Sequence, residues 1–337
     1  MSCILNLNRF LIPNDVIAGL MSIYKFVGKN EVYENKVGHD LDRIINQTIE
    51  RDSYFLAKII ELEISDSRMR LIITKDSSPR NKDESTLYGI KELLKTFHLN
   101  HNSIGTQSND LLNMVNYIHQ NQTIKYDYDE IDKRAILKSQ SMRSKRLIID
   151  EINTEVSKVI QKNEFDPIVL YLHYFIDIYN LKPFVIKNEE ASFLLLYLLL
   201  LKAEVYSFRY VSLFEMIYKN YEEFGNELKN ASHYWKEGYA QTLSFIRFMV
   251  RLINTSYQKT NDIIKEYEFD SNINKSNNIE NTISKLPEIF TKDEIRLVHP
   301  YISESTINRT LSKLRTEKYI KPLGKGRSAK WIKIKSM

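Results

Sequence analysis

The stretch DPIVLYLHYFIDIYNLKPFVIKNEEASFLLLYLLLLKAEV, residues 166–205, contains the pattern from which the fold can be predicted. One apolar segment ends at Leu181, a short loop follows, and a second apolar segment runs from Phe193 to Leu201. The second segment is too short to cross a bilayer, which needs roughly 20 apolar residues. Both segments are apolar on all sides, so we expect two helices buried in a helical core.

Helical periodicity continues on both sides of this stretch. Upstream, Ile44, Ile45 and Ile49 have the spacing of an amphipathic helix, and further helices are expected over 87–97 and 109–118. Between Leu147 and Ile253, five helical patterns have apolar stripes too wide to face water, which predicts one packed bundle. The five patterns are IIDEINTEVSKVIQKN, PIVLYLHYFIDIY, the leucine-rich run, SLFEMIYKNYEEFGNELKN and YAQTLSFIRFMVRLI.

The composition limits the class of protein. The 337 residues include only 9 Gly and 7 Pro, which favours long helices joined by short connections. A single cysteine, Cys3, excludes an internal disulfide and argues against a structural zinc site. The first residues lack the apolar core of a secretion signal. We therefore expect a cytoplasmic protein that does not enter the membrane.

Charge is distributed unevenly along the chain. Residues 281–337 contain 13 Lys or Arg against 5 Asp or Glu, whereas the preceding 280 residues contain 35 against 38. This asymmetry predicts a basic module appended to a near-neutral body, and basic modules commonly bind polyanions.

Two helices and a turn are predicted within this module, which we place at 285–337. Thr291 and Glu294 form a capping box that opens the first helix. In the second helix Ile307, Leu311 and Leu314 share the inner face. The outward polar and basic set comprises Ser305, Thr306, Asn308, Arg309, Ser312 and Lys313.

A hairpin with a basic tip is predicted to follow the second helix. Two alternating apolar runs flank the tip, and the basic residues are Lys325, Arg327 and Lys330. Helix, turn, helix and hairpin together describe a winged helix, in which a helix enters the major groove of duplex DNA and wing cations neutralise phosphates. The alternative is a small domain that docks on the body of the same chain or on another protein, with its charges solvated.

The segment from Asp166 to Ile253 resembles the core of the Fic (Fido) family, whose members typically transfer AMP from ATP to a protein hydroxyl. That family has a helix, a loop of the form His-Pro-Phe-x-Asp/Glu-Gly-Asn-Gly/Lys-Arg with a further Arg three residues on, and a leucine-rich helix. Many Fic proteins also carry a winged helix. The resemblance implies a mostly α-helical fold: a Fic-like bundle with a small β-hairpin flap, here within 124–140, and a carboxyl-terminal winged helix-turn-helix domain.

Some residues of this loop match the Fic motif, but the residues that carry out its chemistry are replaced. The matching residues are Pro183, Phe184 and Asn188. The catalytic histidine is replaced by Lys182, the magnesium-binding acid by Ile186, the glycines by Lys187 and Glu189, and the arginines by Glu190 and Phe193. A lysine usually stays protonated, and isoleucine offers no oxygen to Mg²⁺. Two adjacent glutamates would repel a triphosphate. We therefore expect no catalytic residues and no cofactor, with ATP and Mg²⁺ needed only if the protein is an enzyme.

The predicted domain organisation has four parts. They are a helical region over 1–120, the Fic-like core over 121–260, a linker helix or polar linker over 261–284, and the winged helix over 285–337. The seven histidines are dispersed, and no metal site is predicted. His173 is predicted to be a hydrogen-bonded histidine in the core.

Three functional hypotheses remain from the sequence. The leading one is a catalytically inactive Fic-like protein that binds double-stranded DNA through its winged helix and acts as a regulator or interaction scaffold. The rival is an active, divergent AMP or nucleotidyl transferase in which Lys182 contacts phosphate. The third is a module that makes only protein contacts, with a partner or within a homodimer.

Overall fold

The computed structural model describes residues 2–120, 122–129, 143–272, 275–300, 302–324 and 329–334. Fifteen α-helices and five short strands lie within these residues. The helices are α1 (Asn14–Val27), α2 (Asn30–Val37), α3 (Leu41–Ile59), α4 (Asp66–Lys75), α5 (Lys82–Asn100), α6 (Ser108–Ile118), α7 (Lys145–Lys162), α8 (Pro167–Leu181), α9 (Asn188–Lys202), α10 (Leu213–Lys219), α11 (Tyr221–Ser232), α12 (Leu243–Asn272), α13 (Lys275–Lys285), α14 (Lys292–Val298) and α15 (Glu304–Thr316). The strands are β1 (Tyr128–Asp129), β2 (Arg143–Ser144), β3 (Ile289–Thr291), β4 (Ile320–Pro322) and β5 (Lys330–Lys333). The predicted mostly α-helical fold is confirmed.

The chain divides into two compact units. One comprises Met1–Asn30 and Ile45–Thr260, and the other comprises Glu31–Ile44 and Asn261–Met337. We call them the Fic-like unit and the carboxyl-terminal unit. No helix within the described ranges is long and apolar enough to cross a membrane.

Helices α8 and α9 form the centre of the Fic-like unit, as the sequence predicts. The Asp166 carboxylate accepts the Val169 N–H at 2.9 Å and caps α8, and Pro167 occupies the first turn, where it needs no donor. Helix α9 packs against α8 and is buried without a break from Glu190 to Leu201. The leucine-rich run is therefore the core of this unit.

Aromatic rings continue that core into α11 and α12. The Phe193 ring on α9 lies 5.9 Å from Phe224, which lies 5.8 Å from Phe245, and Phe245 stacks on Phe175 of α8 at 5.7 Å. Rings at these spacings contribute more than their buried area alone. Phe193 thus has a packing role in α9.

One predicted helix is two helices in the structure. The pattern SLFEMIYKNYEEFGNELKN is interrupted at Asn220, whose φ of −119° and ψ of 30° are not helical. Its side-chain amide donates to the Met216 carbonyl at 2.8 Å, a local bond that competes with continuation of the helix. Periodicity alone does not reveal this break, because both helices keep their apolar faces inward.

The carboxyl-terminal unit contains a small sheet. Strands β3, β5 and β4 are antiparallel in that order, and Trp331 in the central strand lies opposite both Phe290 and Pro322. Helices α13, α14 and α15 cover this sheet with one apolar core. The core residues are Ile279, Ile283, Phe290, Ile295, Ile302, Ile307, Leu311, Leu314, Ile320 and Trp331.

Helix α13 contributes to the core of this unit. The sequence predicts a linker helix or polar linker over 261–284, and within that range Ile279 and Ile283 of α13 are fully buried in the core described above. Their four-residue spacing puts both on one face of α13, among otherwise polar residues. The capping box of α14 is confirmed, since Thr291 accepts the Glu294 N–H and the Glu294 carboxylate accepts the Thr291 N–H.

The predicted flap is described only in part. Strand β1 pairs antiparallel with β2, with Tyr128 opposite Ser144. The remainder of the hairpin expected within 124–140, residues 130–140, lies outside the described residues.

Candidate functional site

The loop that resembles the Fic motif begins where α8 ends. Lys182 adopts a left-handed conformation with φ of 46°, and its N–H donates to the Ile178 carbonyl at 3.2 Å. A left-handed residue after the last turn is a common way to stop a helix. The Lys182 carbonyl in turn accepts the Lys145 ammonium at 3.1 Å, and that ammonium also pairs with Asp127 at 2.7 Å. The first residue of the loop is thus fixed through its backbone.

A short antiparallel pairing holds the next residues. The Asp127 N–H donates to the Pro183 carbonyl at 2.8 Å, and the Val185 N–H donates to the Lys125 carbonyl at 3.1 Å. Between them, Phe184 is buried with its ring 5.1 Å from that of Tyr126. Residues 183–185 are therefore attached to the segment that leads into β1.

Asn188 closes the loop from the other side. Its Oδ1 accepts the Phe184 N–H at 2.8 Å and its Nδ2 donates to the Phe184 carbonyl at 2.7 Å. One side chain thereby satisfies both backbone groups of a buried residue. The three residues that match the Fic motif, Pro183, Phe184 and Asn188, all shape the backbone here.

The replaced positions offer different chemistry. The exposed Lys182 lines a cleft of about 230 Å³ together with Tyr179, Asn188 and Glu189. Ile186 is 45% exposed and supplies no oxygen ligand. Burial raises the pKa of Glu189 above its usual value, the nearby carboxylates of Glu190 and Glu61 raise it further, and Lys182 lowers it. Glutamates thus occupy the first turn of α9, where the Fic pattern has glycine and arginine.

Neither residue at the positions of the two Fic arginines carries a positive charge that could bind an anion. Glu190 is 6% exposed, and its carboxylate pairs with the Lys187 ammonium at 2.9 Å. Phe193 belongs to the aromatic core described above. The loop therefore brings Lys182, Asn188 and Glu189 together at one cleft, and it directs Glu190 and Phe193 into the interior.

A buried carboxylate that no sequence pattern predicts is hydrogen-bonded to α9, the helix that follows this loop. Asp52 on α3 is fully buried and accepts hydrogen bonds from the Tyr197 hydroxyl at 2.9 Å, the Ser212 hydroxyl at 2.7 Å and the Phe214 N–H at 2.9 Å. Burial raises the pKa of Asp52 to about 7, and these three bonds limit the rise. His98 joins the network through Tyr197 at 2.9 Å. No local signal marks Asp52, because its partners are distant in sequence.

A second buried carboxylate fixes the start of the chain. Asp177 on α8 accepts bonds from the Ser2 hydroxyl at 2.6 Å, the Cys3 N–H at 2.6 Å and the Ile4 N–H at 3.0 Å. The Trp235 indole N–H adds a fourth bond at 2.7 Å. Four donors replace the water that this carboxylate gives up on burial.

Three of the histidines are hydrogen-bonded within the Fic-like unit. His173 is buried in α8 and bonds to the Val169 carbonyl at 2.8 Å and the Thr242 hydroxyl at 3.0 Å, which confirms its structural role. His98 and His101 bond to tyrosine hydroxyls. Among the described residues, no three His, Cys, Asp or Glu side chains are placed to hold a metal ion.

In the carboxyl-terminal unit, α15 presents most of the predicted outward set. Ser305, Arg309, Ser312 and Lys313 are exposed, whereas Thr306 and Asn308 are half-buried. The Ser303 hydroxyl caps the helix by accepting the Thr306 N–H at 3.3 Å. Lys313 is engaged in an ion pair with Glu280 of α13 at 2.9 Å.

The hairpin after α15 is formed by β4 and β5. The Leu323 N–H donates to the Lys330 carbonyl at 2.8 Å, and Lys330 is exposed. Two predicted tip residues, Lys325 and Arg327, lie outside the described residues.

Solved Fic structures are similar to this one. A Fic family protein from Desulfovibrio desulfuricans has a TM-score of 0.55 and 11% identity over 96% of this chain and 97% of that chain. Fic-1 from C. elegans has a TM-score of 0.54 and 14% identity over 73% and 71% of the two chains. A Fic domain containing signaling protein from Bacteroides thetaiotaomicron has a TM-score of 0.53 and 13% identity over 73% and 98%. No protein-family model matches the sequence, and no curated protein is similar to it. The chain therefore has the Fic (Fido) fold.

Proposed function

We propose that this protein is a cytoplasmic DNA-binding regulator built on a Fic-fold scaffold that does not transfer AMP. The carboxyl-terminal unit has the element order of a winged helix: α13, β3, α14, α15, then the β4–β5 hairpin. The exposed polar and basic face of α15 is the observation that carries the proposal. Arg309 is exposed there and has no hydrogen-bond or ion-pair partner within the part of the chain that the structure describes.

Major-groove dimensions and phosphate charge favour duplex DNA as the ligand. A helix of this size fits the major groove, where arginine reaches base edges, and cations on a hairpin neutralise phosphates. The local excess of 13 basic over 5 acidic residues adds a sequence-independent attraction. A buried cysteine, Cys3, suits a reducing compartment.

Fluorescence anisotropy with labelled duplexes tests the DNA-binding part. Binding should weaken linearly in log salt, with a slope of roughly −0.9 per phosphate contact. Arg309→Ala should weaken it by about 1–3 kcal/mol if Arg309 reads a base, whereas Lys182→Ala should leave it unchanged. Lack of association at low salt would favour the alternative in which the module contacts only protein, and light scattering would then show whether the contact is a homodimer.

The absence of AMP transfer is supported by the composition of the loop. A working site needs a proton acceptor, an oxygen ligand for Mg²⁺ and cationic or backbone donors for phosphate. This loop has Lys182, Ile186 and Glu190 at those places. Incubation with labelled ATP and Mg²⁺ should transfer no label. Label on the protein or on an added partner that is lost in Lys182→Ala would establish the divergent transferase instead.

A further inference from the structure

A second, smaller cavity includes the loop residue Lys187 in its lining. It has a volume of about 70 Å³, and its walls come from the first turn of α5, the end of α6 and the loop residue Lys187. A water molecule occupies roughly 30 Å³ in the liquid, so the cavity accommodates two waters or the head of a small ligand. His119 and Gln122 form part of the wall.

The protonation of His119 follows from its neighbours. The Thr86 hydroxyl donates its single proton to the Lys82 carbonyl at 3.1 Å, so toward His119 Nδ1, 3.2 Å away, it acts as acceptor. On this basis we assign the ring proton to His119 Nδ1. The pKa of His119 is lowered to about 4, mainly by burial; Glu190 and Asp83 oppose this shift, and Lys187 contributes to it. The ring is neutral at neutral pH, and Nε2 keeps its lone pair.

That lone pair is an unfilled acceptor. His119 is 6% exposed, and its Nε2 has no hydrogen-bond partner among the described residues. Gln122 Oε1 is a second buried acceptor without a donor in the same set. The Glu190 carboxylate lies next to His119, with Oε1 located 3.9 Å from His119 Nε2, and it is paired with Lys187. Buried acceptors without donors are costly, so His119 Nε2 and Gln122 Oε1 are complementary to a group rich in N–H donors.

We propose that this cavity binds the head group of a primary aliphatic amine. An ammonium carries three N–H donors and one positive charge, which match His119 Nε2, Gln122 Oε1 and the Glu190 carboxylate. Among the residues that the structure describes, Lys187 pairs with Glu190, and the Lys187 side chain is 32% exposed. The incoming amine replaces Lys187 at Glu190 and also reaches the two acceptors that Lys187 leaves without a donor. Lys187 turns into solvent. This site is independent of the proposed DNA binding.

Three probe molecules test whether the cavity recognises the charge of the ligand, its hydrogen-bond donors, or both. Butylamine supplies charge and donors, tetramethylammonium supplies charge without donors, and butanol supplies a donor without charge. Only butylamine should shift the ¹⁵N resonance of His119 Nε2 in a saturable way. A lysine-containing peptide compared with butylamine then shows whether the amine belongs to a protein or to a small molecule.

Variants test the assignment of the residues. Lys187→Ala removes the competitor and should increase butylamine affinity by at least about threefold. Gln122→Met keeps the shape but removes an acceptor, and His119→Ala removes another, so each should weaken binding by at least about fivefold. Lys229→Ala, an exposed lysine on α11 that does not line the cavity, serves as the control. The His119 resonance of the unmodified protein gives a result even if a variant does not fold.

Two outcomes would overturn the proposal. One is the absence of any saturable response to butylamine in both the unmodified protein and Lys187→Ala, which would mean that the cavity contains only water. The other is an equal response to tetramethylammonium, which would show that charge alone is recognised.

Discussion

The segment over 182–193, which comprises the loop and the first turns of α9, differs from helix α15 in the roles of its side chains. In the loop, Phe184 and Asn188 hold the backbone in place, while Lys182, Ile186 and Glu190 lack the chemistry of the Fic motif. In α15, the buried face and the cap stabilise the helix, and the outward face presents exposed polar and basic side chains. The motif segment thus retains the residues that satisfy backbone groups, whereas other residues stand at the positions where the Fic pattern has reactive groups.

The largest expected effect concerns Asp52, the buried carboxylate that is hydrogen-bonded to Tyr197 on the helix that follows the loop. Its folded-state pKa of about 7 exceeds the ordinary value of 3.8, so its contribution to stability is fully present below about pH 4 and is lost as the pH rises to about 7. Asp52→Asn removes this titration while keeping the shape. The difference in unfolding free energy between the two proteins should change by up to about 4 kcal/mol between pH 4 and pH 8 in urea titrations. A constant difference would show that Asp52 is not held in a desolvated site.

Asn188→Ala tests whether the loop depends on its backbone-shaping residue. The substitution leaves the Phe184 N–H and carbonyl without their partners, and we expect a loss of roughly 2–4 kcal/mol, measured by urea unfolding. Lys182→Ala is the matched control, because its side chain is exposed and should change stability by less than about 0.5 kcal/mol. Equal losses of stability in the two variants would show that the Asn188 side chain does not hold the loop backbone in place.

The smallest expected effect concerns Lys313 on the outward side of α15. Its ammonium is paired with Glu280, so it is less available to a phosphate than Arg309 is. Glu280→Gln should free it and strengthen duplex binding by less than about 1 kcal/mol, with a steeper salt dependence. Unchanged anisotropy titrations would show that Lys313 does not face the DNA.

The helices were predictable because their signals are local. Periodicity, the Thr291–Glu294 capping box and the apolar run of α9 each depend on residues within a few positions of one another. The contribution of α13 to the core of the carboxyl-terminal unit could not be predicted, because only Ile279 and Ile283 mark this helix within a polar stretch.

The candidate site was predictable only in part. The motif positions around Lys182 could be aligned by their spacing, and the structure places three of them at one cleft. The Asp52 and Asp177 networks could not be found in this way, since they join residues more than 50 positions apart. Burial, which sets their protonation, becomes visible only when the helices are packed.

The chain has two tryptophans, and each is buried in a different unit, Trp235 beside Asp177 and Trp331 in the sheet. Emission spectra can therefore assign unfolding to one unit or the other. A Trp235→Phe variant would report on the carboxyl-terminal unit alone, and a Trp331→Phe variant on the Fic-like unit. The order in which the two units unfold can therefore be measured without any added dye.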